Sequence, residues 1–165
     1  MQSPPEERNG PIGTILDVPL EGEFAELDPR DWVRQQIETW EDSGGTEGTT
    51  LRDTGLPCVI VVNRGVRSGQ LRRTPLMRVE HDGSYLAVGS KGGAPENPAW
   101  VANLRADPKV EVWDGTARAD YVCRELEGDE RASWWERAVA AFPPYADYQK
   151  RTERLIPVFV LEPAA

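Results

Sequence analysis

Two Asp-Gly pairs, each set between runs typical of β-strands, most constrain how this chain can fold. They are Asp82-Gly83 and Asp114-Gly115. Asp-Gly favours the two-residue turn that joins neighbouring antiparallel strands. The sequence therefore predicts two antiparallel hairpins. Their strands are about 71–80 and 85–90 for the first pair, and 109–113 and 116–124 for the second.

Two further runs are almost wholly apolar and rich in β-branched residues, which is typical of buried strands. They cover residues 57–62 and 156–161. Five to six short strands with hairpin turns favour a small barrel or a strongly coiled sheet. A chain of 165 residues suits one domain. No run approaches the roughly 18 apolar residues of a membrane span, and no secretory signal opens the chain.

Helices are predicted between these strands. Asp28-Pro29 is a helix start with Asp28 as N-cap, and Gly44-Gly45 ends that helix. Asn97-Pro98 caps a short helix that Asp107-Pro108 ends, and Pro143-Pro144 breaks a later one, with further helix over 145–151. The residues predicted to face inward are Val33, Ile37 and Trp40 in the first helix, Trp100, Val101 and Leu104 in the second, and Trp134, Trp135, Ala138, Val139 and Phe142 in the third.

Residues 1–27 hold several prolines among glutamates and glycines without a clear period. They are predicted to form a flexible leader before a domain over 28–165. Four apolar residues in the leader are candidates for docking on a neighbouring surface: Ile15, Leu16, Val18 and Leu20. The leader is a tail, a dimer arm or a membrane-facing segment, and the sequence does not choose among these.

A cluster of arginines makes one segment positively charged, although the chain as a whole is negatively charged. The net charge is −9, yet residues 63–79 contain no Asp or Glu and five arginines: Arg64, Arg67, Arg72, Arg73 and Arg78. A local positive patch in an acidic protein favours a specific anionic ligand and argues against nucleic acid as the main partner. The alternative is a solvated hairpin loop that is merely basic.

Two glycine-containing segments in this region suit ligand binding. In the arginine loop (residues 65–72), glycines allow close backbone approach, while Arg67, Ser68 and Arg72 offer donors for phosphate or carboxylate oxygens. The shelf (residues 88–92) ends a buried strand with small residues, leaving N–H groups and room for a flat ring. A tight turn explains the same shelf residues equally well.

The residues needed for independent acid–base or metal chemistry are missing from the sequence. The one histidine, His81, is expected to be exposed at a hairpin tip, so no metal site is predicted. Cys58 and Cys123 are interpreted as buried free thiols in a reducing cytosol. An anion site and a flat shelf without acid–base groups fit cofactor chemistry, in which the protein orients the cofactor.

Together these blocks resemble the deazaflavin-dependent nitroreductases that bind coenzyme F420. The matching segments are residues 65–72 with Pro75-Leu76, Ser90-Lys-Gly-Gly93, Asn97 to Leu104, Tyr145 to Tyr148, and Arg154-Leu-Ile-Pro-Val158. The resemblance covers about residues 57–163. It implies an α+β split β-barrel, FMN-binding-like, of about six mostly antiparallel strands with an N-terminal helix and flanking helices. Arg67 and Gln70 stand where lysine is frequent in the family.

The resemblance also implies roles for individual residues. Catalytic roles fall to Tyr145 and Ser90, and substrate binding to the aromatic wall (Phe142, Tyr145 and Tyr148). Cofactor binding falls to Arg67, Ser68, Gly69, Gln70, Arg72, Thr74, Pro75, Met77, Val88, Gly89, Ser90, Lys91, Gly92, Trp100 and Asn103.

The implied activity is hydride transfer from reduced F420 to a quinone, an activated alkene or a nitro compound. An FMN-dependent split-barrel reductase and a non-enzymatic coenzyme-binding protein are the alternatives. The protein is expected to be cytoplasmic, with possible peripheral membrane contact, and to be a monomer or homodimer.

Overall fold

The computed structural model describes residues 20–51 and 54–164, in which seven strands and four α-helices occur. The strands are β1 (Cys58–Arg64), β2 (Leu71–Met77), β3 (Glu80–His81), β4 (Ser84–Val88), β5 (Lys109–Asp114), β6 (Ala117–Glu125) and β7 (Val158–Pro163). The helices are α1 (Asp31–Ser43), α2 (Ala99–Ala106), α3 (Gly128–Ala141) and α4 (Pro144–Lys150). Within the described part of the chain, no helix is both long and apolar enough to cross a membrane.

All seven strands form one antiparallel sheet in the order β2-β1-β5-β6-β7-β4-β3. Residues 78–79, which follow β2, connect the two ends of the strand order. The Arg78 N–H donates to the Pro57 carbonyl at 3.0 Å, and the Leu86 N–H donates to the Val79 carbonyl at 2.9 Å. The sheet therefore curls into a split barrel, which confirms the predicted fold class. Because the predicted strand 71–80 breaks at residues 78–79, it forms both β2 and β3.

Strand β1 is buried on both faces, which explains its unbroken apolar sequence. Its alternate residues Val59 and Val61 pack in a cluster with α2 residues, including Trp100. Ile60 and Val62 pack in another cluster with the inward residues of α1. The residues predicted to face inward in α1 and α2 are all buried, which confirms both inward faces.

Both predicted side-chain N-caps are wrong. Helix α1 begins at Asp31 rather than at Pro29, and the Asp28 carboxylate accepts hydrogen bonds from the Arg30 N–H and guanidinium at 2.6–2.9 Å instead of capping the helix. Helix α2 has Pro98 as its N-cap residue without a side-chain cap, and the Asn97 amide oxygen accepts from Arg154 at 2.7 Å. The predicted end of α1 is confirmed: Gly44 has the left-handed φ of 67°.

Part of the leader pairs with the sheet. Phe24 forms a parallel bridge with Leu71, where the Ala25 N–H donates to the Leu71 carbonyl at 2.8 Å. Leu20 packs against the α1 cluster. The other docking candidates, Ile15, Leu16 and Val18, lie outside the described residues. Cys58 and Cys123 are free and buried, and His81 is exposed, as predicted.

Candidate functional site

A cleft of about 1440 Å³ lies along β2 and the shelf. Four of the predicted site residues lie outside its lining: Arg67, Ser68 and Gly69 are in the exposed part of the arginine loop, and Gly89 is buried. The structure brings the others together on the cleft: Gln70, Arg72, Thr74, Pro75, Met77, Val88, Ser90, Lys91, Gly92, Trp100, Asn103, Phe142, Tyr145 and Tyr148.

Strand β2 presents a backbone edge to this cleft. The N–H and carbonyl of Leu71 point away from β1, where they form hydrogen bonds with the Glu23 carbonyl and the Ala25 N–H. Because these orientations alternate along an antiparallel strand, the backbone groups of Arg73, Pro75 and Met77 also point away from β1. Pro75 is tolerated in β2 because its backbone points away from β1, so its missing N–H removes no hydrogen bond to β1.

The arginine loop is folded on itself and held by Asn103. The Gly65 N–H donates to the Gln70 carbonyl at 2.8 Å, and the Ser68 hydroxyl accepts from the Gln70 N–H at 3.1 Å. The buried Asn103 amide accepts from the Val66 N–H at 2.9 Å and donates to Asn63 at 2.8 Å. Asn103 therefore positions the loop, a role that the sequence did not indicate.

The five arginines divide into two groups. Arg64, Arg73 and Arg78 form ion pairs with Asp107 (3.3 Å), Glu41 (2.9 Å) and Asp114 (3.0 Å). Among the described residues, Arg67 and Arg72 have no ion pair, and both are exposed. Only part of the arginine cluster is therefore available to a ligand, and Arg72 is the member that faces the cleft without a partner carboxylate.

One carboxylate that lines the cleft, Asp28, has a lowered pKa. The pKa of Asp28 is held below its usual value, first by the hydrogen bond from the Arg30 side chain. The charge of Arg72 contributes in the same direction. The cleft therefore carries the Asp28–Arg30 ion pair and, near it, the exposed cation of Arg72, which forms no ion pair within the described residues.

The shelf turns through two unusual backbone conformations. Ser90 is right-handed helical, whereas Lys91 and Gly92 follow with left-handed φ values of 46° and 64°. Left-handed φ is uncommon for lysine. A right-handed residue followed by a left-handed one directs successive N–H groups toward a common side and makes a binding concavity. Ser90, Lys91 and Gly92 all line the cleft, so this concavity belongs to it.

The turn after the shelf packs directly on helix α4. Gly93 has a φ of 84°, and a Cβ added there would lie 2.8 Å from the Tyr148 carbonyl oxygen. No larger residue fits this contact without movement. The second glycine of the Ser-Lys-Gly-Gly motif is therefore a packing requirement that fixes the shelf against α4.

The aromatic wall closes another side of the cleft. The Phe142 and Tyr145 rings meet edge to face at 5.0 Å, and Tyr145 and Tyr148 at 6.2 Å. Tyr145 is 5 % exposed. Burial raises the pKa of Tyr145 above its usual value, so its hydroxyl is a weaker acid than that of an exposed tyrosine.

Residues before and within α1 also line the cleft, and the sequence analysis did not assign them to a site. Phe24, Leu27 and Trp32 are the large apolar members. The guanidinium of Arg73 lies 4.4 Å from the Phe24 ring centroid and joins this segment to β2. The aperiodic sequence before α1 carried no signal for this placement, which depends on the pairing of Phe24 with Leu71.

The fold and cleft together define a split β-barrel protein with a large cleft along one edge strand of its sheet. The chain belongs to the F420H(2)-dependent quinone reductase family, whose model matches residues 32–163. This confirms the resemblance to deazaflavin-dependent split-barrel reductases.

Relatives and solved structures agree with this family. A putative F420H(2)-dependent quinone reductase of Mycobacterium tuberculosis is 32 % identical over 108 residues, covering 66 % of this chain and 91 % of the relative. A solved F420-H2 dependent reductase is 52 % identical, with a TM-score of 0.62 over 64 % of this chain and 94 % of that one. A structure described as a domain-swapped dimer is 49 % identical, with a TM-score of 0.64 over 82 % of this chain and all of that one.

Proposed function

We propose that this protein is an F420H2-dependent reductase that transfers a hydride from reduced coenzyme F420 to a quinone-type acceptor. The observation that carries the proposal is one cleft lined by unpaired Arg72, the N–H concavity of the shelf and the aromatic wall. Family membership supports the same cofactor and reaction. Nothing in the cleft favours the FMN-dependent alternative over F420.

The cleft fits a large anionic coenzyme. Its volume of about 1440 Å³ exceeds the roughly 300–1,000 Å³ of ordinary small-molecule pockets, so a coenzyme and an acceptor have room together. We assign the anionic tail to Arg72 and Gln70, with Arg67, Ser68 and Gly69 meeting its outer part. The ring is assigned to the shelf and to Thr74, Pro75 and Met77. Trp100 and Asn103 line the same cleft, and we assign them to the side of the tail.

When bound, the reduced coenzyme would supply a hydride, which is two electrons and one proton, and the second proton of the reduced acceptor would come from water or a side chain. The protein's contribution is to position the two reactants, and good placement is worth up to about 7–11 kcal/mol in ideal systems. Tyr145 orients the acceptor through its protonated hydroxyl, and Phe142 and Tyr148 hold its ring. The Ser90 hydroxyl, which belongs to the shelf, is the other side-chain donor that we assign to the acceptor.

We rank quinones first among acceptors because the family model and the curated relatives name them. A flat ring suits packing among three aromatic side chains. Activated alkenes and nitro compounds are electron-poor and planar as well, and we expect slower turnover with them.

We further infer that the protein forms a homodimer, since a relative that aligns over its full length is described as a domain-swapped dimer. Light scattering after size-exclusion chromatography tests this inference. A monomer at all concentrations would contradict it.

The function is tested by mixing the protein with reduced F420 and menadione and following the return of the oxidised chromophore. We expect rapid oxidation that depends on protein and acceptor. Coenzyme binding without oxidation by any acceptor would support a non-enzymatic binding protein. Tight FMN binding without F420 binding would overturn the proposal.

A further inference from the structure

Arg154, which lies between α4 and β7, directs its whole guanidinium at the turn that carries the shelf. Its Nε donates to the Ala94 carbonyl at 2.9 Å, and Nη2 donates to the Ser90 carbonyl at 2.9 Å. Its Nη1 donates to the Gly89 carbonyl at 3.1 Å and to the Asn97 amide oxygen at 2.7 Å. Among residues 20–51 and 54–164, no carboxylate forms an ion pair with Arg154, so its charge acts on these neutral oxygens.

These bonds set the direction of two peptide groups in the shelf. In a trans peptide, the carbonyl of one residue and the N–H of the next point in opposite directions. Because the Gly89 and Ser90 carbonyls point toward Arg154, the N–H groups of Ser90 and Lys91 point away from it. In the described part of the chain, neither N–H donates to a protein acceptor. Both residues line the cleft.

Arg154 is also tied to the helix of the aromatic wall. The Gln149 side chain on α4 donates to the Arg154 carbonyl at 2.8 Å and accepts from the Ile156 N–H at 3.0 Å. On the other side of the shelf, Gly93 packs against Tyr148. The Arg154 side chain therefore holds the shelf, while its main-chain carbonyl is held by the helix of the aromatic wall.

We propose that Arg154 is a positioning residue for hydride transfer, and this inference rests on the proposed function. It holds the N–H groups of Ser90 and Lys91 toward the cleft, where they would be available as donors to a bound coenzyme. Its positive charge behind the shelf strengthens these two peptide dipoles as donors. By joining the shelf to α4, it also sets the separation between ring and acceptor.

The chain offers a matched control in Arg131. Its Nη2 donates to the Ile156 carbonyl at 2.6 Å, and its guanidinium lies 5.1 Å from the Trp135 ring centroid. Arg131→Met therefore removes a half-buried arginine that bonds the same segment of chain, but it leaves the shelf contacts intact. Arg154→Met removes all four bonds, while Arg154→Lys keeps the charge and reproduces only part of the fork.

For Arg154→Met, we expect kcat/KM with reduced F420 to fall by about 10- to 100-fold, the scale that small misplacement of reactants produces. The Kd for oxidised F420 should rise, and the absorption shift of the coenzyme on binding should shrink. Arg154→Lys should lie between this variant and the wild type, and Arg131→Met should resemble the wild type. If Arg154→Met does not fold, Arg154→Lys carries the comparison.

Hydrogen exchange without coenzyme provides an independent measurement. Residues 89–94 should exchange faster in Arg154→Met than in Arg131→Met. Equal exchange, coenzyme binding and turnover in these two variants would overturn the inference while leaving an active wild-type reductase. A wild-type protein that neither binds nor oxidises F420H2 is a different result, and it would overturn the proposed function itself.

Discussion

The Arg78 guanidinium and the Asp114 carboxylate join two parts of the barrel that are not neighbours in the strand order. Arg78 Nε lies 3.0 and 3.1 Å from the two carboxylate oxygens, and the Tyr85 hydroxyl donates to the same carboxylate at 2.5 Å. Arg78 follows β2, Asp114 ends β5 and Tyr85 belongs to β4. The carboxylate therefore receives donors from both ends of the sheet and closes the curl.

Replacing Asp114 should destabilise the closed barrel. Asp114→Ala leaves the Arg78 charge and the Tyr85 hydroxyl without their acceptor, and we expect the free energy of unfolding to fall by about 1–3 kcal/mol. Tyr85→Phe should cost less because it removes one donor only. Urea unfolding measures both. The control is Glu162→Ala, which loses an exposed ion pair with Arg124 and should change stability by at most about 1 kcal/mol; a loss as large as that of Asp114→Ala would refute the closure role.

Adjacent arginines in β2 should separate ligand binding from stability. Arg72→Met removes an exposed cation from the cleft, so the F420 Kd should rise about tenfold without loss of thermal stability. Arg73→Met removes the 2.9 Å pair with Glu41 and the contact with Phe24, so it should lower the melting temperature. Calorimetry and coenzyme fluorescence titration measure the two effects. Equal changes in affinity and stability for both variants would contradict the division.

Tyr145→Phe tests how the buried hydroxyl acts. Because burial raises the pKa of Tyr145, we expect it to orient the acceptor rather than to supply the proton. Removing the hydroxyl should then lower kcat with menadione by about tenfold or less, whereas loss of a general acid costs about 10²–10⁴-fold. Tyr145→Ala should also raise KM because it opens the aromatic wall. A loss above 10²-fold in Tyr145→Phe would make the hydroxyl the proton donor.

The buried thiols should make stability fall at alkaline pH. Burial raises the pKa values of Cys58 and Cys123 from 9.0 to about 12. Unfolded thiols begin to ionise near pH 9 while the folded thiols stay protonated, so the native state retains protons that the unfolded state loses. Stability associated with these groups is therefore present below about pH 9 and falls as pH rises toward about 12, by about 1.4 kcal/mol per pH unit for each thiol.

Urea unfolding at about pH 8 and pH 10 measures this effect. The wild type should lose about 3 kcal/mol more between these pH values than a Cys58→Ala, Cys123→Ala variant does. The comparison within each protein removes the constant cost of the substitutions. An equal loss in both proteins would show that the thiols do not ionise differently on unfolding.

Local patterns were sufficient for most of the fold. The Asp-Gly pairs located both hairpin turns, and the apolar run before Asn63 indicated a buried strand. The predicted pairing of the first hairpin was wrong in part, because residues 71–77 pair with β1 and only Glu80 and His81 pair with β4. The helix starts were less predictable. Asp28 and Asn97 both have the composition of N-caps, yet their side chains bind Arg30 and Arg154 instead. Several donors compete for a capping side chain: an arginine two residues away binds Asp28, and an arginine 57 residues away binds Asn97.

The sequence by itself determined the strand-forming runs, the buried helix faces and the residue types from which a coenzyme site is built. Only the tertiary structure decided which of the five arginines are left without an ion pair, because distant carboxylates pair with Arg64, Arg73 and Arg78. It also decided that Asn103 holds the arginine loop and that Arg154 holds the shelf. The residues that Asn103 and Arg154 bind in the loop and the shelf lie 37 to 65 residues away in the sequence. Contacts over such distances produce no local sequence pattern, so only the folded chain reveals them.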